Sequence, residues 1–203
     1  MKIAILDYGM GNINSITSTL KYLGVNEVVL TSDYNSLKSA DQLILPGVGS
    51  FRQAMIEIKK NKLDIYLKDI VIDQKKPLLG ICLGMQLLGK SSTEDGFTTG
   101  LGFVDGKFSK FEEKLKVPHV GFNQVKINNK LKLYKDIVEK EVDFYFTHSY
   151  KMSSNSNINQ CHCYYSNNFI ASFETKNICG VQYHPELSQT NGLKVLNNFI
   201  NNF

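Results

Sequence analysis

One short stretch, residues 78–86, has the residue types and spacing that nucleophilic catalysis requires. An apolar run ends at Gly80, Cys82 follows, and Gly84 precedes a helix-forming segment. This is the spacing of a nucleophile elbow, in which the glycines let a strand and a helix pack closely around a tight turn. The turn places the sulfur beside the free N–H groups that open the helix, and these favour the thiolate form. The N–H of Leu83 can then donate to an oxyanion. The alternative is a structural cysteine buried at a strand end.

A catalytic cysteine needs a base, and His184 has the most informative context of the four histidines. Pro185 fixes its own φ angle and favours an extended conformation at His184. Residues i and i+2 of an extended segment point to the same side, so Glu186 can hold one ring nitrogen while the other faces a thiol. The sequence therefore predicts a Cys82–His184–Glu186 triad. The alternative is a strand-end turn with a solvated carboxylate.

An oxyanion hole needs a second donor, and a glycine-rich turn at residues 46–49 can supply it. The sequence Pro46-Gly47-Val48-Gly49 follows a predicted strand of the same sheet. Two glycines allow the backbone to present an N–H at close range and to reorient it. We therefore predict an oxyanion hole formed by Val48, Gly49 and Leu83, with an ordinary turn as the alternative.

The elements that must position these residues follow from the hydrophobic pattern. Strands and helices alternate in the first half, which predicts an α/β fold with a mostly parallel sheet covered by helices on both faces. The predicted strands there are 2–6, 27–31, 42–45 and one after Pro77, and the helices are 12–23 and 51–73 with a break near Asn61. From about residue 100 the pattern predicts antiparallel strands added to the same core. The ranges are 101–104, 124–127, 144–147, 160–165, 169–173 and 178–183, with helices at 130–137 and 192–203. We predict one domain, residues 1–203.

Composition excludes several function classes. The chain has 203 residues, of which 42% are hydrophobic and 21% charged, as in globular proteins. Its net charge of +4 comes from scattered lysines, with Arg52 as the only arginine, which argues against nucleic-acid binding. No apolar run approaches the roughly 20 residues that span a bilayer, and the first residues do not resemble a signal peptide. We therefore expect a cytoplasmic protein with reduced cysteines.

A metal site is not predicted, although Cys161-His162-Cys163 places three possible ligands together. Neighbouring side chains of a strand point to opposite faces, and a structural zinc site usually needs four ligands. The sequence offers no second ligand pair, so an ordinary strand is favoured. No cofactor is predicted either.

Three motifs together resemble those of the class I glutamine amidotransferases. They are residues 80–86, residues 46–49 and His184-Pro185-Glu186. Residues 7–12, 118–123, 146–150 and 180–186 further resemble one branch of that family, the glutaminase subunits that serve a synthase of histidine biosynthesis. The resemblance covers nearly the whole chain.

This resemblance implies a flavodoxin-like fold and an enzyme made of two proteins. Cys82 would attack the side-chain amide of glutamine, and the ammonia would pass to a (β/α)8-barrel synthase that makes imidazole glycerol phosphate and AICAR. The chain and this barrel would form a heterodimer. The residues implied for glutamine binding are Gly49, Gln86, His148, Ser149 and Tyr150. Those implied for the partner interface are Tyr8, Met10, Asn12, Pro118, His119, Phe122 and Asn123.

The chain departs from its family at two positions in the partner segment. Phe122 stands where the family usually has tryptophan, and Val120 where methionine is common. These changes leave open a paralogous amidotransferase that feeds a synthase-like barrel in the formation of surface-polysaccharide amino sugars. Two further hypotheses are a stand-alone cysteine hydrolase or peptidase and a non-catalytic module that binds a barrel protein.

Overall fold

The first half of the chain forms the parallel part of one mixed sheet. The computed structural model describes residues 1–112 and 116–203. Its first four strands pair in parallel in the order β2-β1-β3-β4. Strands β3 and β4 are buried at every residue, as expected where helices cover both faces of a sheet. Their bounds are β1 Lys2–Leu6, β2 Glu27–Thr31, β3 Gln42–Leu45 and β4 Leu78–Ile81.

The second half adds the antiparallel strands that the sequence predicted. Strand β13 lies parallel to β4 and antiparallel to β12. The sheet continues from β12 through β10, β7, β5 and β6, while β11, β8 and β9 branch from β12. The bounds are β5 Ser91–Ser92, β6 Thr98–Thr99, β7 Lys107–Lys110, β8 His119–Lys126, β9 Glu141–His148, β10 Tyr150–Ser153, β11 Cys161–Tyr165, β12 Asn167–Thr175 and β13 Ile178–Val181.

Helices cover both faces of the parallel strands and create two apolar cores. Helices α1 and α6 pack on one face, with Leu20 and Phe199 in its core. Helices α2 to α5 contribute to the other core, which contains Leu37 and Phe51. The bounds are α1 Ile13–Tyr22, α2 Tyr34–Ser39, α3 Phe51–Lys60, α4 Leu63–Leu67, α5 Leu83–Leu87 and α6 Gln189–Asn202, with a π-helical segment at Lys68–Asp73. None of the helices in the described ranges has the length and apolarity needed to cross a membrane.

Two predicted elements are wrong, and each has a local cause. Residues 101–104 do not form a strand, because Gly102 has φ 71° and the N–H groups of Phe103 and Val104 both donate to Leu88. The segment therefore folds over the end of α5. Residues 130–137 form only a 3₁₀ turn at Lys132–Tyr134, and Asp136 adopts a left-handed φ of 64° that ends the turn.

The order of the central strands determines which loops meet. Gly80 on β4 lies in register with Leu45 on β3 and with Gly180 on β13. Parallel neighbours end at the same edge of a sheet, so the loops after these three strands emerge side by side. The glycine-rich turn, the cysteine and the His-Pro-Glu sequence are therefore brought to one edge.

Candidate active site

Cys82 occupies a sharp turn between a strand and a helix. It follows β4 directly, precedes α5, and has φ 52° and ψ −111°. A non-glycine residue with positive φ is held there by its surroundings. The N–H of Cys82 donates to Val181 of the neighbouring strand at 2.8 Å. The predicted nucleophile elbow is thus present in the backbone.

The two glycines of the elbow are required by close packing. A Cβ atom at Gly84 would lie 1.8 Å from the carbonyl oxygen of Leu45, and one at Gly80 would lie 2.8 Å from the backbone of Gly84. Strand β3, strand β4 and helix α5 therefore approach each other at distances that exclude any side chain at these positions.

The substitution Gly84→Ala should lower the free energy of unfolding by about 3 kcal/mol, because the added methyl group overlaps backbone atoms that cannot move alone. Gly24→Ala is a matched control. Gly24 has φ 85°, and a methyl group added there would have no atom within 4 Å, so only the backbone conformation is penalised, by about 1 kcal/mol. Urea unfolding of the wild-type chain and of the two variants measures both losses in the free energy of unfolding. Equal losses in the two variants would contradict the packing explanation.

His184 and Glu186 form a buried pair beside the elbow. Nδ1 of His184 lies 2.9 Å from Oε1 of Glu186, and the two side chains are 3% and 0% exposed. The geometry differs from the predicted extended strand: His184 is extended, but Glu186 lies in a 3₁₀ turn, Pro185–Leu187. The proline at the first position of this turn bends the chain so that the carboxylate returns to the ring.

Strand β9 contacts both parts of the predicted triad. The N–H of His184 donates to the carbonyl of Tyr145 at 2.8 Å, and Sγ of Cys82 lies 3.8 Å from the carbonyl oxygen of Thr147. Ser188 donates to the carbonyl of His184 at 2.6 Å and accepts from the N–H of Tyr145. The strand thus fixes the position of the sulfur relative to that of the imidazole.

The electrostatics of His184 favour an imidazolium. Burial alone would lower its pKa, but hydrogen bonding and charge interactions with Cys82 and Glu186 raise it to about 10. Nε2 of His184 is buried, and among the described residues it has no partner with full hydrogen-bond geometry. Cys82 is nevertheless near enough to the ring to contribute to its raised pKa. The arrangement can supply a thiolate nucleophile and a proton donor.

A cavity of about 380 Å³ opens over the sulfur. Cys82 lines it, whereas His184 is not among the lining residues. The other lining residues are Val48, Gly49, Leu83, Gln86, Glu94, Pro118, Thr147, His148, Ser149 and Tyr150. The structure thus brings all residues expected to bind glutamine or its oxyanion to one cavity.

The glycine-rich turn lines this cavity and is hydrogen-bonded to Tyr8. Gly49 has φ 103°, and Val48 is exposed. The hydroxyl of Tyr8 donates to the carbonyl of Pro46 at 2.5 Å, and a Cβ atom at Gly47 would lie 2.6 Å from that hydroxyl oxygen. Burial, with a smaller effect from Cys82, raises the pKa of Tyr8. Tyr8 therefore supports the turn.

Two residues of the site carry no sequence signal of their own. Gln182 is fully buried, and its Nε2 donates to the sulfur of Cys82 at 3.7 Å while its Oε1 accepts from Gln86 at 3.1 Å. Glu94 lines the cavity and accepts from the N–H of Phe51 at 2.7 Å. Burial raises the pKa of Glu94, and the Phe51 N–H opposes that shift. Both residues are recognisable only once distant segments are placed together.

The residues expected at a partner interface differ in exposure. Phe122 is exposed and packs against Tyr145 with ring centroids 5.6 Å apart. Pro118 is also exposed. Met10, Asn12 and Asn123 are half-buried, whereas Tyr8 and His119 are 3% exposed each. The last two therefore have little surface to offer another protein.

The Cys161-His162-Cys163 sequence lies on β11, away from the cavity. Both cysteines are buried and His162 is exposed, so the three side chains alternate between the two faces as expected of a strand. Burial raises the pKa of Cys163 to about 12 and also raises that of Cys161.

Known proteins are similar to this chain in sequence. The model of the family "Glutamine amidotransferase class-I" matches residues 4–203. Imidazole glycerol phosphate synthase subunit HisH 1 of Campylobacter jejuni is 42% identical over 98% of both chains. Subunit HisH 2 of Methanococcus maripaludis is 44% identical, also over 98% of both chains, and subunit HisH 1 of the same strain is 41% identical.

Solved structures agree on the fold. The structure titled PurLQS from Thermotoga maritima superposes with a TM-score of 0.77, at 18% identity, over 98% of this chain and 97% of that one. The glutaminase domain of Trypanosoma brucei CTPS, with bound acivicin, gives 0.71 at 15% identity, over 98% and 92%. The family model and the HisH subunits, which match over almost the full length, show that the chain belongs to the class I glutamine amidotransferases.

Proposed function

We propose that this chain is the glutaminase subunit of an imidazole glycerol phosphate synthase. It hydrolyses glutamine to glutamate and ammonia and passes the ammonia to a (β/α)8-barrel subunit. The observation that carries the proposal is the buried His184–Glu186 pair, whose imidazole interacts with Cys82, a cysteine that lines a cavity of about 380 Å³. Relatives of C. jejuni, Vibrio vulnificus and M. maripaludis are named as subunits of that synthase, which supports the choice of pathway.

The first half of the reaction is acyl transfer to sulfur. The Cys82 thiolate attacks the side-chain amide carbon of glutamine, and the carbonyl oxygen becomes an oxyanion. The N–H of Leu83 and the turn at Val48–Gly49 stabilise that charge. The His184 imidazolium gives its proton to the departing nitrogen, so ammonia leaves and a glutamyl thioester remains.

The second half is hydrolysis of the thioester. His184, now neutral, takes a proton from water as the water attacks the carbonyl carbon. Glu186 holds Nδ1 and stabilises the imidazolium that forms again. The carbon–sulfur bond breaks, glutamate leaves, and Cys82 returns to the thiolate. Gln182 donates to the sulfur in this resting state and keeps it aimed at the cavity.

Glu94 is the group that selects an amino acid over a simple amide. Among the described lining residues, Glu94 is the one carboxylate, and it can pair with the positively charged α-ammonium of glutamine. Nε2 of Gln86 donates to Gln182, so Oε1 of Gln86 can accept a hydrogen bond from the substrate. Ser149 and Tyr150 also line the cavity.

The substitution Glu94→Gln should raise the KM for glutamine by about 10- to 100-fold, because a charge-assisted hydrogen bond is lost, and should change kcat much less. Asp95→Asn is the control: Asp95 accepts from the Ser50 hydroxyl outside the cavity, and asparagine keeps an acceptor there. Steady-state glutamate release at varied glutamine gives both constants. An unchanged KM in the Glu94 variant would remove this residue from substrate recognition.

The barrel partner would bind beside the cavity. Pro118 lines the cavity, and Val120 and Phe122 continue from it as an exposed apolar row on β8. An exposed apolar group of this kind is typical of a protein interface. We place the synthase there and assign the chain to a heterodimer in the cytoplasm.

A second candidate function differs only in the partner. Phe122 and Val120 replace the tryptophan and methionine common in the family, and the M. maripaludis strain has two such proteins. These observations favour a paralogue that serves a synthase-like barrel in amino-sugar formation as the alternative. A stand-alone hydrolase predicts, instead, full glutamine hydrolysis by the isolated chain.

One experiment separates these functions. The chain is mixed with each candidate barrel protein, and product formation is followed with glutamine or with an ammonium salt as nitrogen source. The proposal predicts glutamine-dependent synthesis of imidazole glycerol phosphate with the histidine-pathway barrel. Ammonia-dependent synthesis that glutamine cannot support would refute it, and turnover with the sugar-modifying barrel alone would select the paralogue.

A further inference from the structure

Two buried histidines outside the triad make a hydrogen-bonded pair that the mechanism above does not use. His119 and His148 face each other across β8 and β9, with Nδ1 of His119 3.2 Å from Nε2 of His148. Both are at most 5% exposed. His148 lines the cavity, whereas His119 is not among its lining residues.

The partners of the pair determine which nitrogens carry protons. Nδ1 of His148 lies 2.8 Å from the carbonyl oxygen of Tyr150, which can only accept, so this nitrogen is the donor. Nε2 of a neutral His148 is then an acceptor, and Nδ1 of His119 must donate to it. Nε2 of His119 is in turn an acceptor.

Asn123 supplies the N–H that donates to Nε2 of His119. Its Nδ2 lies 3.3 Å from Nε2 of His119 and 3.0 Å from the carbonyl of Tyr164, and its Oδ1 accepts from the N–H of Gln124. These contacts fix the orientation of the amide. The hydrogen bonds therefore run in one direction, from Asn123 through His119 and His148 to the carbonyl of Tyr150.

The surroundings hold both rings neutral and in place. Burial lowers the pKa of His119 to about 4 and that of His148 to about 3, and the charge of His184 also opposes protonation of His148. The ring of His119 stacks between Tyr165 and Phe146, with centroids 4.0 Å and 4.9 Å away. A ring packed on both faces cannot rotate without displacing its neighbours.

We propose that Asn123, His119 and His148 are positioning residues. Their hydrogen bonds form a chain with one donor-to-acceptor direction, here called the relay, from strand β8 to the Tyr150 carbonyl. The relay thereby sets the shape of the glutamine pocket at residues 149–150. The role in glutamine binding rests on the proposed function. The direction of the relay follows from the hydrogen bonds and does not depend on the proposed function. A change at His119, which does not line the cavity, should therefore alter the affinity for glutamine.

The first test is the tautomer of each histidine in the full chain, by ¹⁵N labelling of histidine and long-range ¹H–¹⁵N correlation. The relay requires that both rings carry the proton on Nδ1, whereas free neutral histidine prefers Nε2–H. Resonances are assigned with single substitutions. An Nε2–H tautomer at either position overturns the proposal, and this result does not depend on any activity.

The second test compares two substitutions at His119 by glutamine kinetics. His119→Phe keeps the stacking and removes both ring nitrogens, so Nε2 of His148 loses its donor. We expect the KM for glutamine to rise by about tenfold, with kcat changed by less than about twofold. His119→Asn keeps an amide N–H near the position of Nδ1 and should recover most of the loss.

The control is His162→Asn on the adjacent strand β11, which should leave KM unchanged because His162 lies outside the cavity and the relay. No change in KM for His119→Phe, or equal changes in both His119 variants, overturns the positioning role. If the wild-type chain with its barrel partner shows no glutamine hydrolysis, the proposed function fails, and the tautomers alone decide the relay.

Discussion

Replacing Cys82 by alanine should reduce glutamate release by at least about 10⁴-fold, even with the barrel partner bound. No other group in the cavity replaces the sulfur as a nucleophile, since the remaining described lining residues offer only hydroxyl, amide, carboxylate and neutral imidazole groups. Without a thioester, the triad cannot divide the reaction into two steps. Glutamate release is measured with a coupled dehydrogenase assay.

Cys163→Ala is the matched control for this substitution. Cys163 is also buried, but burial raises its pKa to about 12, so it stays a thiol at neutral pH. This variant should keep near-normal kcat. Substantial turnover by Cys82→Ala, or a comparable loss in Cys163→Ala, would show that the sulfur at the elbow is not the nucleophile.

The second large effect is expected from Glu186→Gln, which should lower kcat by about 10²- to 10⁴-fold. Glutamine can still accept from Nδ1 of His184, but the negative charge of the carboxylate is gone. Oε2 of Glu186 is buried, and within the described part of the chain it has no hydrogen-bond partner, so an amide N–H at that position would also be buried without an acceptor. The imidazolium is then less stable at the moment it must give its proton to nitrogen.

The pH dependence gives this prediction a definite sign. The pKa of His184 is raised to about 10, so the stability it contributes is fully present below about pH 6.5 and is lost as the pH rises toward 10. In Glu186→Gln the pKa of His184 should fall, and the loss of stability at alkaline pH should begin at a lower pH. Urea unfolding between pH 6 and 10, with NMR titration of His184, checks both statements.

Glu174→Gln provides the comparison for a buried carboxylate outside the site. Glu174 is 9% exposed and does not belong to the triad. It accepts a hydrogen bond from the N–H of Leu133 at 3.0 Å. Its replacement should change stability and leave both kcat and the titration of His184 near normal. A fall in kcat as large as that of Glu186→Gln would indicate a general effect of losing a buried charge.

The features that the sequence predicted are those encoded by neighbouring residues. Gly80 and Gly84 indicate the elbow because the close approach of a strand and a helix leaves no room for other side chains. The strands at 2–6, 27–31 and 42–45 are short, largely apolar runs and match the observed bounds. The break near Asn61 also matches, because α3 ends at Lys60 and Lys62 takes a left-handed φ of 58°.

The features that the sequence did not reveal depend on contacts between distant segments. Gln182 reaches Cys82 across 100 positions, and Glu94 enters the cavity from a loop with only two-residue strands beside it. Tyr8 is buried in the apolar core and bonds to Pro46, 38 residues away. Such contacts leave no periodic pattern, so the order of the strands must be known before they can be seen.

The most direct measurement of the proposed chemistry is covalent capture of the nucleophile. The full chain, with its barrel partner, is treated with acivicin, a glutamine-like electrophile, and the modified peptide is identified by mass spectrometry with and without excess glutamine. We expect a single adduct on Cys82 that glutamine prevents and that Glu186→Gln slows. A label on Cys161, Cys163 or Cys179, or labelling of Cys82 that glutamine does not affect, would contradict the assignment of this cavity as a glutaminase site.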